Sequence, residues 1–220
     1  MLGLPDTAAV GQTIPKKKFY EQLGVDAPLR RRFVEQIERI VWKYKLAPTT
    51  ANIQPGEKIG EVEVFEIELR EKDVDIEILR RIDKSVPYPI LFLLTYEGLF
   101  QACVFYKEIT AIKSKDDARV KQVAFYRTEW LEPDLLPCRL AGIDVDSAYE
   151  LFVRQIAGDS LNRKETETFA ESVERQKMRA KIQKKIDALE KKKRREVQFN
   201  IQIEIGAEIK RLKKELEKLA

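Results

Sequence analysis

The chain contains no histidine. That absence removes Ser-His-Asp and Cys-His nucleophile systems, imidazole general bases and zinc sites built on imidazole. Any catalysis must rest on carboxylates, lysine, tyrosine, hydroxyls or thiols, with a hard cation such as Mg²⁺ where a metal is used. Only two cysteines occur, Cys103 in an apolar run and Cys138 after a proline. They lack metal-ligand spacing and make no disulfide framework, so both read as ordinary thiols of a protein in the reducing cytoplasm. No stretch approaches the roughly 20 apolar residues of a membrane span. The opening Met1-Leu2-Gly3-Leu4-Pro5-Asp6 lacks the charged and apolar regions of a secretory signal. Neither Gly-x-Gly-x-x-Gly nor Gly-x-x-x-x-Gly-Lys-Ser/Thr is present, so no phosphate-cradling loop and no cofactor is expected.

Charge, by contrast, is abundant. Of 220 residues, 35% are charged, against roughly 25% in ordinary globular chains. The excess suggests a long solvated surface such as an exposed helix. The net charge of +4 is unevenly spread: Leu161–Ala220 carries 18 Lys/Arg against 11 Asp/Glu, and the remainder 23 against 26. A basic tail therefore follows a slightly acidic body, which permits contact with nucleic acid or an acidic partner. The expected organisation is an α+β core domain over 1–160 and a basic helical, coiled-coil-like extension over 161–220.

The most apolar segment is Pro87-Tyr88-Pro89-Ile90-Leu91-Phe92-Leu93-Leu94-Thr95-Tyr96. Five large apolar residues without a polar break cannot keep one face wet, so this reads as a central strand covered on both faces. Residues 1–15, with Gly3, Pro5, Gly11 and Pro15, read as irregular. A short helix from Lys16 to Gly24 follows. A second helix is capped by Asp26, with Pro28 in its first turn and Leu29, Phe33, Ile37 and Ile40 on one face. Period two from Ile40 to Leu46 predicts a strand, and Glu61–Arg70 another. The alternation of the latter slips at Val64, so a bulge there would bring Val62, Val64, Phe65, Ile67 and Leu69 to one face. Asp73 is the expected cap of a helix carrying Val74, Ile78, Leu79 and Ile82. Glu97-Gly98 predicts a hairpin turn, with a return strand over Leu99–Tyr106. A charged connection over 107–118 leads to a strand over Val120–Trp130. Asp144 or Asp146 starts a helix closed by Gly158. This order predicts a mixed sheet of about five strands with helices packed on it.

From about Glu165 the chain turns Lys/Glu/Arg-rich. Ile182, Ile186 and Leu189, then Ile209, Leu212, Leu216 and Leu219, follow heptad-like spacing and form an apolar seam for partner binding or self-association. Val197–Ile205 alternates with strict period two, so it fits a strand as well as the step-of-four helix through Val197, Ile201 and Ile205. Either one long helix over 166–220 or a hairpin broken near Lys191–Arg195 accommodates the flanks.

Two clusters carry candidate chemistry. The acidic row Glu61, Glu63, Glu66 and Glu68 lies on a strand before a helix, and Glu68-Leu69-Arg70 is near the Glu-x-Lys of metal-dependent nucleases, in which carboxylates hold Mg²⁺. Glu66 and Glu68 are the candidate catalytic ligands of that reading. The pattern lacks an upstream acidic partner on Trp42–Leu46, and Arg70 replaces a tunable lysine, so a solvated strand face explains the row equally well. The second cluster is Lys191-Lys192-Lys193-Arg194-Arg195. Five adjacent cations could contact phosphates without reading sequence. The plainer alternative is a solvated helix segment.

Met1–Pro5, Ile14–Tyr20, Val64–Leu69, Gln198-Phe199-Asn200 through Lys210 and, above all, Ile82-Asp83-Lys84-Ser85-Val86-Pro87-Tyr88-Pro89-Ile90-Leu91-Phe92 together resemble an uncharacterised prokaryotic domain-of-unknown-function family. Members of that family are often encoded beside restriction-modification methyltransferase and helicase genes. The resemblance implies a DNA-modification or phage-defence setting and carries over no catalytic residue. The expected function is a non-enzymatic accessory or scaffold protein that docks a larger protein partner, such as a methyltransferase or helicase subunit, or self-associates through its tail. A metal-dependent nuclease and a nucleic-acid-binding module for DNA are the alternatives.

Overall fold

The computed structural model describes residues 2–22, 24–110, 119–161 and 167–219. The chain divides into two units, Met1–Gly158 and Asp159–Ala220.

The first unit is built on a six-stranded sheet whose strands lie in sequence order. They are β1 (Ala9–Thr13), β2 (Ile37–Leu46), β3 (Val62–Leu69), β4 (Ile90–Tyr96), β5 (Leu99–Thr110) and β6 (Arg119–Arg127). All neighbours are antiparallel except β3 and β4. Parallel neighbours cannot be joined by a tight turn, and helix α4 (Ile76–Ser85) makes the crossover between them. The α+β class holds, with one strand beyond the five expected. Residues 1–15 are not wholly irregular: a 3₁₀ turn at Asp6–Ala8 leads into β1. Gly11, at φ +67°, lies at the register shift between Ala9 and Gln12, so this breaker marks a bulge in an edge strand.

Ile90 to Leu94 are all buried, as a strand covered on both faces requires. On one face, α1 (Lys16–Gln22), α2 (Ala27–Gln36) and α4 bring Phe19, Phe33, Ile78 and Ile82 against Phe65, Ile67, Phe92, Leu94 and Phe105. Edge-to-face ring pairs Phe65–Phe92 and Phe92–Phe105, 6.4 and 6.3 Å between centroids, run across three strands. The alternate residues Val64, Leu91, Leu93 and Val104 point to the other face and are equally buried. There α5 (Val145–Ala157) packs on β5 and β6. A four-residue helix, α3 (Pro48–Ala51), follows β2.

Several local expectations are corrected. The period Leu29, Phe33, Ile37, Ile40 is not one helix face: α2 stops at Gln36 and Ile37 opens β2. All four side chains still reach the same core, because a helix face and a strand face deliver them to one place. There is no bulge in β3 at Val64, since β3 pairs with β4 without a break. The shift lies on β2, where Trp42 faces Phe65 and Tyr44 faces Val64, leaving Lys43 as the extra residue. Both faces of β3 are covered, so its apolar residues need not share one. The cap of α4 is Asp75 rather than Asp73; its carboxylate accepts from Glu77 N at 2.9 Å. Gln36 Oε1 accepts from Asp75 N and Arg32 pairs with its carboxylate, which fixes the helix start two residues later.

Other signals hold. Asp26 caps α2 by accepting from Leu29 N at 2.9 Å, and Asp144 caps α5 by accepting from Ser147 N at 2.7 Å. Asp146 serves a loop instead of the helix start. Its carboxylate accepts from the backbone N–H groups of Glu57, Lys58 and Ile59 and ties that loop to α5. Glu97 and Gly98, both at positive φ, make the two-residue turn between β4 and β5. β5 continues to Thr110 and β6 ends at Arg127. Of the connection expected over 107–118, residues 107–110 are therefore strand and 111–118 lie outside the described residues.

The second unit is a helical hairpin, α6 (Phe169–Arg195) and α7 (Phe199–Lys218). Thr168 and Glu171 form a reciprocal capping box at the start of α6. Arg175 and Arg179 near the start of α6 reach Leu219 at the end of α7, while Lys193 near the end of α6 stands beside Gly206, so the helices run antiparallel. Lys185–Glu208 and Glu190–Lys213 ion pairs cross between them. The chain breaks at 196–198, just past the basic run, and the period-two stretch is helical from Phe199. Its step-of-four series prevails because α6 offers an apolar stripe on which Ile201, Ile205 and Ile209 can be buried.

Candidate functional site

Glu66 and Glu68, the candidate metal ligands, lie on β3 opposite Val41 and Arg39 of β2. Lys43 pairs with Glu66, and Arg39 Nη2 stands 3.0 Å from Glu68 Oε2. Lys45 pairs with Glu61 and Arg70 with Glu38, at 2.5 and 2.7 Å. The acidic row is thus one side of a cross-strand charge ladder, in which opposite pairs contribute roughly 0.2–1 kcal/mol each. Glu66 and Glu68 are each paired with a cation, and Arg70 is turned to Glu38 rather than to Glu68. Among the described residues, no group of three or more His, Cys, Asp or Glu side chains is placed to hold a metal ion.

Glu63 stands apart on this strand. It is buried, and Trp42 Nε1 donates to its Oε2 at 2.6 Å. Burial, reinforced by the neighbouring Glu61 carboxylate, pushes its pKa up to about 7.

A second charged group escaped the sequence reading. Lys107 on β5 and Asp83 on α4 form an ion pair closed to solvent, Nζ to Oδ1 3.1 Å. Lys107 Nζ also donates to the carbonyls of Asp83, Val86 and Tyr88 at 2.8, 3.1 and 2.7 Å. Its three N–H groups thus serve the end of α4 and the approach to β4. Gln122 of β6 donates to Asp83 Oδ2. Burial raises the Asp83 pKa to about 6 against the pull of Lys107, and burial lowers that of Lys107. Tyr149 on α5 completes the group: its hydroxyl accepts from Lys107 N at 2.8 Å and donates to Phe105 O at 3.1 Å, where the β5 register shifts. Nothing here is open to a substrate. The cluster fixes the Ile82–Phe92 block, the most recognisable part of the sequence. The only sequence signal for it was a lysine directly after an apolar strand, which reads as the start of a loop.

The hairpin holds the remaining candidates. Ile182, Ile186 and Leu189 of α6 pack with Ile209, Leu212 and Leu216 of α7, joined by Ile201 and Ile205. The seam expected to serve partner binding or self-association is covered within the chain by the second half of the tail folding back on the first. Leu219 presents its carbonyl to Arg175 and Arg179 Nη1, at 3.3 and 3.0 Å.

Lys191, Lys192, Lys193, Arg194 and Arg195 are all exposed at the C-terminal end of α6. Among the described residues none of the five is in an ion pair, although the same unit pairs Lys177, Lys185, Arg211 and Lys213 with glutamates. Immediately after them come three bare apolar side chains: Val197 is 91% exposed, Phe199 72% and Ile203 55%. Beside them a shallow cleft of about 520 Å³ is lined by Glu190, Lys193, Arg194, Gln202, Gly206 and Lys213. A Cβ at Gly206 would stand 3.1 Å from Lys193 Nζ, the end of a flexible side chain. The apolar tip was missed in the sequence because Val197, Phe199 and Ile203 alternate with polar residues in a stretch that fits a strand as well as a helix, and either would give them a face to bury.

Compared with known protein families, residues 2–216 match the family described as a domain of unknown function, DUF4391. No curated protein and no solved structure matches the chain.

Proposed function

The chain belongs to the DUF4391 family, and from that premise we propose that it is a non-enzymatic accessory protein that works by docking a larger partner, with the tip of its helical hairpin as a binding element. One observation carries the reading: five exposed cations, none in an ion pair among the described residues, adjoin three large exposed apolar side chains. Monomer surfaces seldom leave such groups together without use, and an apolar patch rimmed by charge is typical of an interaction site. The strand carboxylates support the same reading, because Lys43 and Arg39 already neutralise Glu66 and Glu68. The DNA-modification or phage-defence setting is part of the proposal and rests on the likeness carried by the Ile82–Phe92 block.

The test is affinity purification of the tagged full chain after cross-linking in its own cells, beside the variant Phe199→Glu/Ile203→Glu. Both positions are exposed, so the variant is expected to fold. The reading requires a discrete partner that the variant loses. A partner set unchanged by the variant, or a catalytic activity of the pure chain, overturns it.

A further inference from the structure

Resting on the reading of the hairpin tip as a binding element, we propose that the tip binds duplex DNA, entering a groove end-on and holding the phosphates on both walls without reading sequence. Sign is the first argument. From Lys191 to Arg195 every residue is cationic, all five are exposed, and the described residues supply none of them with a carboxylate. The end of a helix carries partial negative charge on its last carbonyls, which makes a cluster of like charges tolerable there without a partner. Such a cluster still lacks a full counter-charge, and its complement is a polyanion.

Arrangement is the second argument. Successive helical residues turn by about 100°, so five in a row point to all sides of the helix. A flat anionic surface would meet only part of them, and a helix that lies on a membrane keeps its cations along one face. An acidic patch on a protein would likewise leave the far side unmatched. Lys193 and Arg194 line the cleft towards α7, and a groove walled by phosphates on both sides meets cations on more than one side of the tip. The hairpin is one helix thick in its narrow direction, about 10–12 Å, which fits the roughly 12 Å width of the major groove of B-DNA.

The apolar side chains are the third argument. Val197 and Phe199 stand just beyond the cations, at the leading end of the hairpin. Apolar side chains beside a cationic element meet the edges of bases or wedge between base steps, while the cations position the element on the backbone. The five cations outnumber the amides at the tip: exposed Gln198 and Asn200 flank Phe199, and Gln202 is turned to Glu196 O at 2.7 Å. The binding inferred is therefore driven by phosphate charge and shape.

Fluorescence anisotropy of a labelled 24-base-pair duplex with the full chain tests this. If three to five phosphates are neutralised, affinity falls roughly 40- to 500-fold between 50 and 200 mM salt. The variant Lys191→Ala/Lys192→Ala/Arg194→Ala/Arg195→Ala is expected to lose most of that salt dependence and at least roughly 20-fold in affinity at 50 mM salt. Alanine is the strongest helix former, so helicity by circular dichroism should be unchanged. A control of equal charge, Lys181→Ala/Lys184→Ala/Lys210→Ala/Lys214→Ala, removes exposed cations elsewhere on the hairpin and should shift affinity less than about threefold. Phe199→Ala should weaken binding with the salt slope preserved. The proposal is overturned by absence of salt-dependent duplex binding, by equal losses from the two four-site variants, or by preference for a single strand or for anionic phosphatidylserine vesicles. If duplex binding is absent while Phe199→Glu/Ile203→Glu still loses a cross-linked protein, DNA is excluded and the binding-element reading stands. If the tip variants keep every partner, both fall.

Discussion

Lys107 Nζ lies 3.1 Å from Asp83 Oδ1 with both side chains closed to solvent, and it spends its hydrogens on three carbonyls at the end of α4 and the approach to β4. One ammonium on β5 therefore holds both the end of the crossover helix and the approach to β4. Removing one partner of a buried pair leaves an uncompensated charge, at a cost of about 3–5 kcal/mol. Lys107→Met should lower stability by that amount at neutral pH, read from urea unfolding. Lys107→Met/Asp83→Leu should recover only part of it, because the carbonyls of Asp83, Val86 and Tyr88 still lack their donor. Full recovery would show that the carbonyl contacts contribute little.

The same pair sets a pH dependence. Burial holds the folded Asp83 pKa at about 6, above the roughly 3.9 of an unfolded aspartate. Between those values the folded state binds more protons than the unfolded one. The group's contribution to stability is therefore fully present below about pH 4 and lost as pH rises through 6, by roughly 3 kcal/mol. Urea midpoints taken from pH 4 to 7 should show the difference between wild type and Asp83→Asn growing across this window. A difference that does not change with pH would contradict it.

The hairpin's seam is internal. Ile205 and Ile209 of α7 pack against Ile186 of α6. Ile209→Ala should cost about 2–4 kcal/mol and lower helical ellipticity on mild heating. Because the packing lies within one chain, the loss should not depend on protein concentration. A midpoint that rises with concentration would place the seam between chains.

Glu66 and Glu68 are held by Lys43 and Arg39, so the pure protein should leave plasmid DNA intact in Mg²⁺ or Mn²⁺. Cleavage that Glu68→Ala abolishes would restore the nuclease reading.

Much of the fold was legible because period and capping are local. Ile90–Leu94 gave the central strand, Glu97-Gly98 the hairpin, and Asp26 and Asp144 their helix starts. What was not legible depends on distant contacts. β1 exists because β2 offers it an edge, and Asp75 displaces Asp73 because Gln36 and Arg32 hold it. Lys107 looks like a loop residue until Asp83 and three carbonyls surround it. The candidate site divides in the same way. The basic run stands in the sequence itself, but that it makes no ion pair among the described residues and adjoins exposed Val197, Phe199 and Ile203 depends on where the helices break.

That tip is the centre of the account, and a photo-crosslinking residue placed at position 199 of the full chain tests it most directly. The control is position 34 on α2, where Val34 is also exposed. On irradiation in living cells, position 199 should give a discrete adduct with one macromolecule and position 34 none. No adduct at 199, or the same adducts from both positions, would contradict the account.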